Sequence, residues 1–544
     1  MDTVRKSERF LVQGSILAGA SILVRMIGIL YRIPMANILG TEGNGIYSVS
    51  FNIYNLILIL FSYSLPMAVS KLVAAKNISR QYRNANQVFR CALVLAVIVG
   101  GVAALFLYFG SGFLAAFYKM PGAEKPLRIL APATFIAGML GVFRGFYEGK
   151  NTMIPTAFSQ ILEQIVNAAV SIYAAYIFME AHSLSEEISA YGAAGGTMGT
   201  LMGAGAALLF LVLLYVWHRP ILMKQQKRDR SGSWMETRDI YKLLVVTITQ
   251  ILLSQTVYQI SAIVDDAVFS NILDWKGVAD NVKSTLLGVY TAQYKLLLML
   301  PISISSAISA SVVPSIVSSL QIKQYDVVRK QVASSMKFNM VIALPSMTGL
   351  MALAYPIMRT LFQKLPEYWG LSASLLFWGA SAIVFYALSI TTSGILQGIN
   401  RVSRSVWNSF ISLLIHIPLL AVLLWLTNLG VYTLVIGNIT FPMVVSILNW
   451  RDVSKELYYK QEIRKTFLLP FLASVVMGGG TFLVYQLLFW MMQSYLVSMV
   501  LSIVAAVAGY FVLILKLQIF EKEEFEMLPF GRTFYQIGRR LSLI

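Results

Sequence analysis

Cysteine occurs once in the 544 residues, as Cys91. A lone thiol excludes an internal disulfide and any cysteine-based metal site. His182, His218 and His416 are scattered, which argues against a His-ligated metal centre. Charge is scarce too: 12% of residues are Asp, Glu, Lys or Arg, about half the share of a soluble domain. Acids are the rarer sign, 25 against 43 Lys plus Arg. Long polar stretches are missing, which leaves no room for a soluble catalytic domain. No cleavable signal peptide is expected, because the first apolar stretch is too long and no small-residue cleavage site follows it.

What fills the chain is apolar. Hydrophobic residues make up 57%, and mean hydropathy is +0.69. Apolar runs long enough for a spanning helix of about 20 residues recur throughout. They fall near 12–37, 46–70, 88–110, 127–147, 155–179, 192–217, 243–272, 286–318, 338–361, 371–397, 405–427, 430–449, 467–489 and 495–515. The expected fold is all-α: a polytopic membrane protein of about fourteen transmembrane helices.

The net charge of +18 is distributed in a way that fits a membrane, not nucleic acid. Lys and Arg gather in alternate connections: Arg5, Lys6 and Arg9; Lys71, Lys76, Arg80 and Arg83; then Arg219 to Lys242. The connections between are acidic or poor in base, with Glu42, and later Glu180, Glu186 and Glu187. The positive-inside rule puts both termini in the cytoplasm. The basic loops lack interleaved aromatics, so no nucleic-acid partner is expected.

Two short motifs repeat. Gly145-Phe-Tyr-Glu-Gly149-Lys-Asn151 opens the loop after helix four, and Gly394-Ile-Leu-Gln-Gly398-Ile-Asn400 follows helix ten, 249 positions later. Gly45-Ile-Tyr47, with Phe51-Asn52 beyond it, matches Gly288-Val-Tyr290 and Tyr294-Lys295 at an offset of 243. Nearly equal offsets argue for duplication. The expected organisation is a six-helix lobe (1–217), a basic cytoplasmic linker (218–240), a second six-helix lobe (241–450), helices thirteen and fourteen (451–516) and a cytoplasmic tail (517–544). Six helices per repeat give both repeats one orientation, so the substrate path is expected between them. Gly195, Gly199 and Gly203 on helix six are expected to serve internal packing. Pro66, Pro155, Pro301, Pro314 and Pro345 mark bends that serve as hinges in some transporters.

Ionisable groups inside the apolar runs are the candidates for function. A charge at mid-bilayer costs at least ~3 kcal/mol and persists where it faces water, a ligand or a partner. Arg25 sits near the middle of the first run, and Arg32 returns to the same helical face seven residues on. Asp265 and Asp266 fall in helix seven and Lys295 in helix eight. Gln160, Glu163, Gln164 and Asn167 form one polar face of helix five. Arg25 is read as cavity-facing; Arg32 alternatively snorkels to the interface, and Asp265 or Asp266 alternatively serves as a buried partner of Lys295 or Arg32.

The first helix, Ile22-Leu-Val-Arg25-Met-Ile-Gly28-Ile-Leu-Tyr-Arg32-Ile-Pro34 with Gly40 closing it, resembles that of the multidrug/oligosaccharidyl-lipid/polysaccharide (MOP) exporter superfamily. The segment Phe143-Arg144-Gly145-Phe-Tyr-Glu-Gly149 with Pro155-Thr156-Ala-Phe-Ser-Gln160-Ile-Leu-Glu163-Gln164 is similar to the stage V sporulation protein B group and the MurJ-type lipid II flippases. The resemblance implies a V-shaped pair of lobes around a cationic cavity, and a groove for a polyprenyl tail on helices thirteen and fourteen. The implied activity is export of a polyprenyl-pyrophosphate-linked saccharide from the inner to the outer leaflet by alternating access. In those flippases arginines on helices one, two and eight matter: Arg25 matches the first and Lys295 stands where the third falls. Helix two offers only Asn52 and Asn55, a departure from the three-cation pattern. Arg25, Arg32, Asn52 and Lys295 are thus the substrate-binding candidates, and Asp265, Asp266 and Glu163 the coupling or charge-pair candidates. Arg144, Gly145 and Gly149 form the family motif.

No cofactor, metal or catalytic residue is expected, and coupling to H⁺, Na⁺ or membrane potential stays open. The expected partners are the lipid-linked saccharide, membrane lipids and the cell-wall synthesis machinery, with the chain a monomer. The rival readings are a cation-coupled multidrug exporter of the same superfamily, an integral-membrane glycosyltransferase or polymerase, and a non-transporting scaffold of a cell-wall complex.

Overall fold

The computed structural model describes residues 2–61, 64–150, 152–227, 229, 234–321 and 323–520, with side chains left out at 2–18, 22, 60–61, 250–260, 262–263, 310–311, 314 and 321. Most of the expected tail, 521–544, lies outside the described residues, as do the linker positions 228 and 230–233 and the side chain of Pro314. Among the described residues the secondary structure is helical, without a strand.

Two compact units divide the chain at 292/293. The first holds α1 (Asp2–Phe61), α2 (Ser64–Ile78), α3 (Tyr82–Phe117), α4 (Glu124–Gly149), α5 (Ile154–Ala181), α6 (Ile188–Lys227), α7 (Thr237–Trp275) and α8 (Asp280–Gly288). The second holds α9 (Leu296–Gln321), α10 (Tyr325–Ala352), α11 (Ala354–Leu361), α12 (Trp369–Gly379), α13 (Ala382–Gly398), α14 (Val402–Leu426), α15 (Tyr432–Leu457), α16 (Leu469–Met492) and α17 (Tyr495–Lys516). A π-helical stretch, Val289–Lys295, carries α8 into α9. The sixth helix runs on through Pro220 to Lys227, well into the expected linker. By sequence α7 and α8 open the second repeat; by packing they lie in the first unit.

Among the described residues, ten helices are long and apolar enough to cross a bilayer, or up to twelve if each of two bent pairs, α10 with α11 (73°) and α12 with α13 (44°), is one span. This range is compatible with fourteen. Gly40 stands in α1 at φ 68°, ψ 179° and breaks it into two arms. On one straight helix Arg32 and Phe51 would be about 28 Å apart, yet the Arg32 guanidinium lies 5.6 Å from the Phe51 ring centroid. The chain therefore doubles back at Gly40, and α1 supplies two spans. Only glycine takes this positive φ without strain. The 39-residue α7 is long enough to cross as well.

Small residues set how closely the helices pack. A Cβ on Gly195 would overlap the carbonyl of Ala174, one on Gly199 the hydroxyl of Ser171, and one on Gly203 would come 2.6 Å from the carbonyl of Glu163. The stripe on α6 is thus filled by α5, as internal packing requires. Apolar burial then closes each unit. In the first, Phe89, Phe143, Phe146 and Tyr215 interlock α3, α4 and α6, with ring centroids 4.4–6.0 Å apart. In the second, Ala473 and Met477 of α16 cluster with Tyr510 and Ile514 of α17.

The duplicated motifs occupy equivalent places. Both end a helix, α4 at Gly149 and α13 at Gly398, so they form last turns where the sequence suggested a loop. A Cβ on Gly145 would meet Pro66, and one on Gly149 would meet Val73. A Cβ on Gly394 would meet Ser309, and one on Gly398 would meet Ile316. Pro66 and Ser309, like Val73 and Ile316, are 243 positions apart. The other motif pair is reciprocal: a Cβ on Gly45 would overlap the carbonyl of Ser284, and one on Gly288 the carbonyl of Thr41. Thr41 and Ser284 are again separated by 243. Such an exchange of partners is the pattern that a two-fold relation between repeats produces.

Candidate functional site

The first arm of α1 carries the two arginines on one face. Arg25 is exposed and, among the described residues, has no hydrogen-bond or ion-pair partner. Gly28 between them faces Gln164 of α5, whose Nε2 would lie 3.2 Å from an added Cβ. Arg32 is half-buried over Phe51, a cation–π contact that holds its charge within the helix hairpin.

Asn52, on the second arm, donates from Nδ2 to Asp266 Oδ2 at 2.6 Å. Asp265 and Asp266 are 7% and 3% exposed, on α7. An amide donating to a carboxylate satisfies one of its acceptors without cancelling its charge. The bond joins two sequence-predicted residues 214 positions apart.

Glu163 has a different partner. Its carboxylate pairs with Arg144 at 2.6 Å, and Arg144 Nε also donates to Ser159 Oγ at 3.0 Å. The arginine of the family motif and the acid of the polar face are thus one ion pair between α4 and α5. Two more residues of that face are engaged, whereas the buried Gln160 Oε1 has no hydrogen-bond partner among the described residues. Gln164 meets α1 at Gly28, and Asn167 Oδ1 accepts from Ser171 Oγ at 2.9 Å. Gly145 and Gly149 admit α2 and touch no ionisable group among their nearest neighbours.

In the second unit Lys295 is half-buried at the end of the π-helical stretch. The two residues before it are anchored. Ser372 Oγ donates to Gln293 Oε1. Tyr294 donates its hydroxyl to the Gly379 carbonyl at 3.2 Å and accepts from Asn438 Nδ2 at 2.9 Å. Tyr386 completes the chain, donating to Asn438 Oδ1 at 2.8 Å. The sequence gives no signal for a π-helix, and Asn438 and Tyr386 lie in other apolar runs, so this network was not foreseen.

A second unforeseen cluster ties three helix ends. Lys283, its side chain fully buried, meets Asp274 at 2.8 Å and Asp280 at 2.7 Å; Lys119 adds a contact to Asp274 at 3.3 Å. The hydrogen bond from Lys283 holds the Asp274 carboxyl below the usual carboxylate range, with Lys119 adding to it. Among the described residues no group of three His, Cys, Asp or Glu is placed to hold a metal ion.

Residues 11–321, over half of the chain, match the model of the polysaccharide biosynthesis protein family, and 282–422 match the MatE model. Stage V sporulation protein B of Bacillus subtilis (strain 168) is 26% identical over 96% of this chain and 98% of its own length. Lipid II flippase MurJ of the same organism is 22% identical over 74% of this chain and 76% of its own. Among solved structures, an inward-facing multidrug resistance MATE family transporter of the MOP superfamily aligns with TM-score 0.67 and 18% identity, over 80% of this chain and 94% of that one. Lipid II flippase MurJ in an inward closed conformation aligns with TM-score 0.59 and 16% identity, over 92% and 99%. These two likenesses show the fold.

Proposed function

The chain belongs to the polysaccharide biosynthesis protein family, a multi-pass membrane protein of the MOP superfamily, and we propose that it is a flippase. Its cargo in this reading is a polyprenyl-pyrophosphate-linked saccharide, lipid II or a similar cell-wall precursor, moved from the inner to the outer leaflet without covalent change. The observation that carries the reading is Arg25: a cation in an apolar helix, exposed and without a protein partner among the described residues. A guanidinium there suits a diphosphate, whose oxygens it binds as a planar fork.

Lys295 is assigned to the same head group, and Arg32 and Asn52 to its sugars or phosphates. The Asn52–Asp266 bond suits a coupling role for the Asp265–Asp266 pair, through H⁺ or Na⁺. Glu163 and Arg144 are assigned to holding the first lobe together. The lobes are taken as 1–217 and 241–450, helices thirteen and fourteen as the tail groove, and both termini as cytoplasmic. The basic connections support this orientation.

The test is reconstitution. In liposomes containing labelled lipid-linked precursor, the protein should speed exposure of the head group to an outside probe; a rate equal to that of empty liposomes overturns the reading. The MatE match over 282–422 favours a second reading, cation-coupled drug export. Raised drug tolerance on overexpression, without rescue of a strain lacking its lipid II flippase, would establish that one.

A further inference from the structure

A π-helical turn is strained relative to an α-helix and persists where neighbours hold it, often beside functional groups. Val289–Lys295 is such a turn, and it ends on a membrane cation. Relaxing it to α-helix would shift the phase of the last residue by about 100°, turning the Lys295 ammonium away from its present direction. The residues that prevent this are the two just before it. Gln293 and Tyr294 are 1% and 0% exposed, and their side chains are pinned to α12 and α15 by Ser372, the Gly379 carbonyl and Asn438. Gly379 is part of the device, because any Cβ there would run into the Tyr294 ring. The first repeat lacks the latch. At the place of Tyr294 stands Phe51, which has no hydroxyl, and Ser50 and Phe51, the counterparts of Gln293 and Tyr294, lie in ordinary α-helix.

We propose that Tyr294 and Asn438 are positioning residues that fix the direction of the Lys295 ammonium by locking the π-helical turn. The inference rests on the flippase reading only for what Lys295 touches; the locking stands apart from it. Because Cys91 is the only cysteine, Lys295→Cys in a Cys91→Ser background places one reporter thiol at position 295. In proteoliposomes its modification by a charged methanethiosulfonate should change about fivefold or more when Tyr294→Phe or Asn438→Leu is added, as expected for a side chain turned by ~100°. Tyr294→Phe keeps the ring in its seat and removes only the hydroxyl.

Transport is measured beside it. Tyr294→Phe should slow flipping toward the Lys295→Ala level at unchanged membrane abundance and melting temperature. The double variant should be no slower than Lys295→Ala alone, because coupled residues do not add. Unchanged labelling rates, or losses that add in the double variant, overturn the proposal. Wild-type flipping by Lys295→Ala would instead remove the pyrophosphate role of Lys295, and the labelling rates then decide the positioning role alone.

Discussion

Arg25 and Arg144 are both arginines in apolar helices, and their surroundings separate them. Arg144 is matched by Glu163, so its charge is compensated inside the fold; Arg25 has no such partner among the described residues. Arg25→Ala is therefore expected to abolish rescue of a flippase-deficient strain while membrane abundance stays normal, because alanine costs the bilayer less than a charge. Arg25→Lys should keep part of the activity, a point charge replacing a fork. Full rescue by Arg25→Ala would return the residue to a structural role. Arg144→Gln should behave in the opposite way. It leaves Glu163 half-buried without its cation, at a cost of about 1–3 kcal/mol, which a lower melting temperature in detergent would report. Adding Glu163→Gln should recover part of that loss, since the uncompensated charge is then gone.

At the scale of elements, the ends of α3, α7 and α8 are tied by a cluster of charges. Asp274 carries most of this, between Lys283 and Lys119. The hydrogen bond from Lys283 holds its carboxyl below the usual carboxylate range. A depressed folded value means that the unfolded chain takes up the proton first on acidification. The stabilisation is complete above the ordinary carboxylate value and fades as pH falls through the depressed one. Melting temperature followed from neutral pH downward should thus drop more steeply in the wild type than in Asp274→Asn, which carries no titratable charge there at any pH. Parallel curves would show that the cluster contributes nothing. A surface pair alone would give little; the complete burial of the Lys283 side chain is what makes its loss matter.

For the molecule as a whole the crossing of α1 and α8 is the telling place. Gly45 and Gly288 each face a carbonyl of the other helix, Ser284 and Thr41, with no room for a Cβ. Because the two contacts are related by the repeat, Gly45→Ala and Gly288→Ala should lower the melting temperature by similar amounts, each costing about 1–3 kcal/mol of overpacking. Gly110→Ala, where a Cβ meets open space, is the control and should leave stability unchanged or raise it. Unequal losses at the two crossing glycines would separate the contact from the duplication.

The sequence by itself determined that the chain is an all-helical membrane protein, because apolar runs of spanning length admit little else. It also pointed to a duplication, through two motif pairs at nearly equal offsets of 249 and 243. It nominated Asn52, Asp266, Arg144 and Glu163 as site residues without pairing them. Which of them meet was decided only by the tertiary structure: Asn52 with Asp266 and Arg144 with Glu163. Those contacts join positions 214 and 19 residues apart, and periodicity along one helix carries no information about which face of another will meet it. The same holds for the π-helical turn before Lys295. No residue preference announces it, since it is held by Ser372, Gly379 and Asn438 from helices far along the chain. Local sequence fixes where a helix runs and which groups it carries; close packing of several helices decides where those groups point.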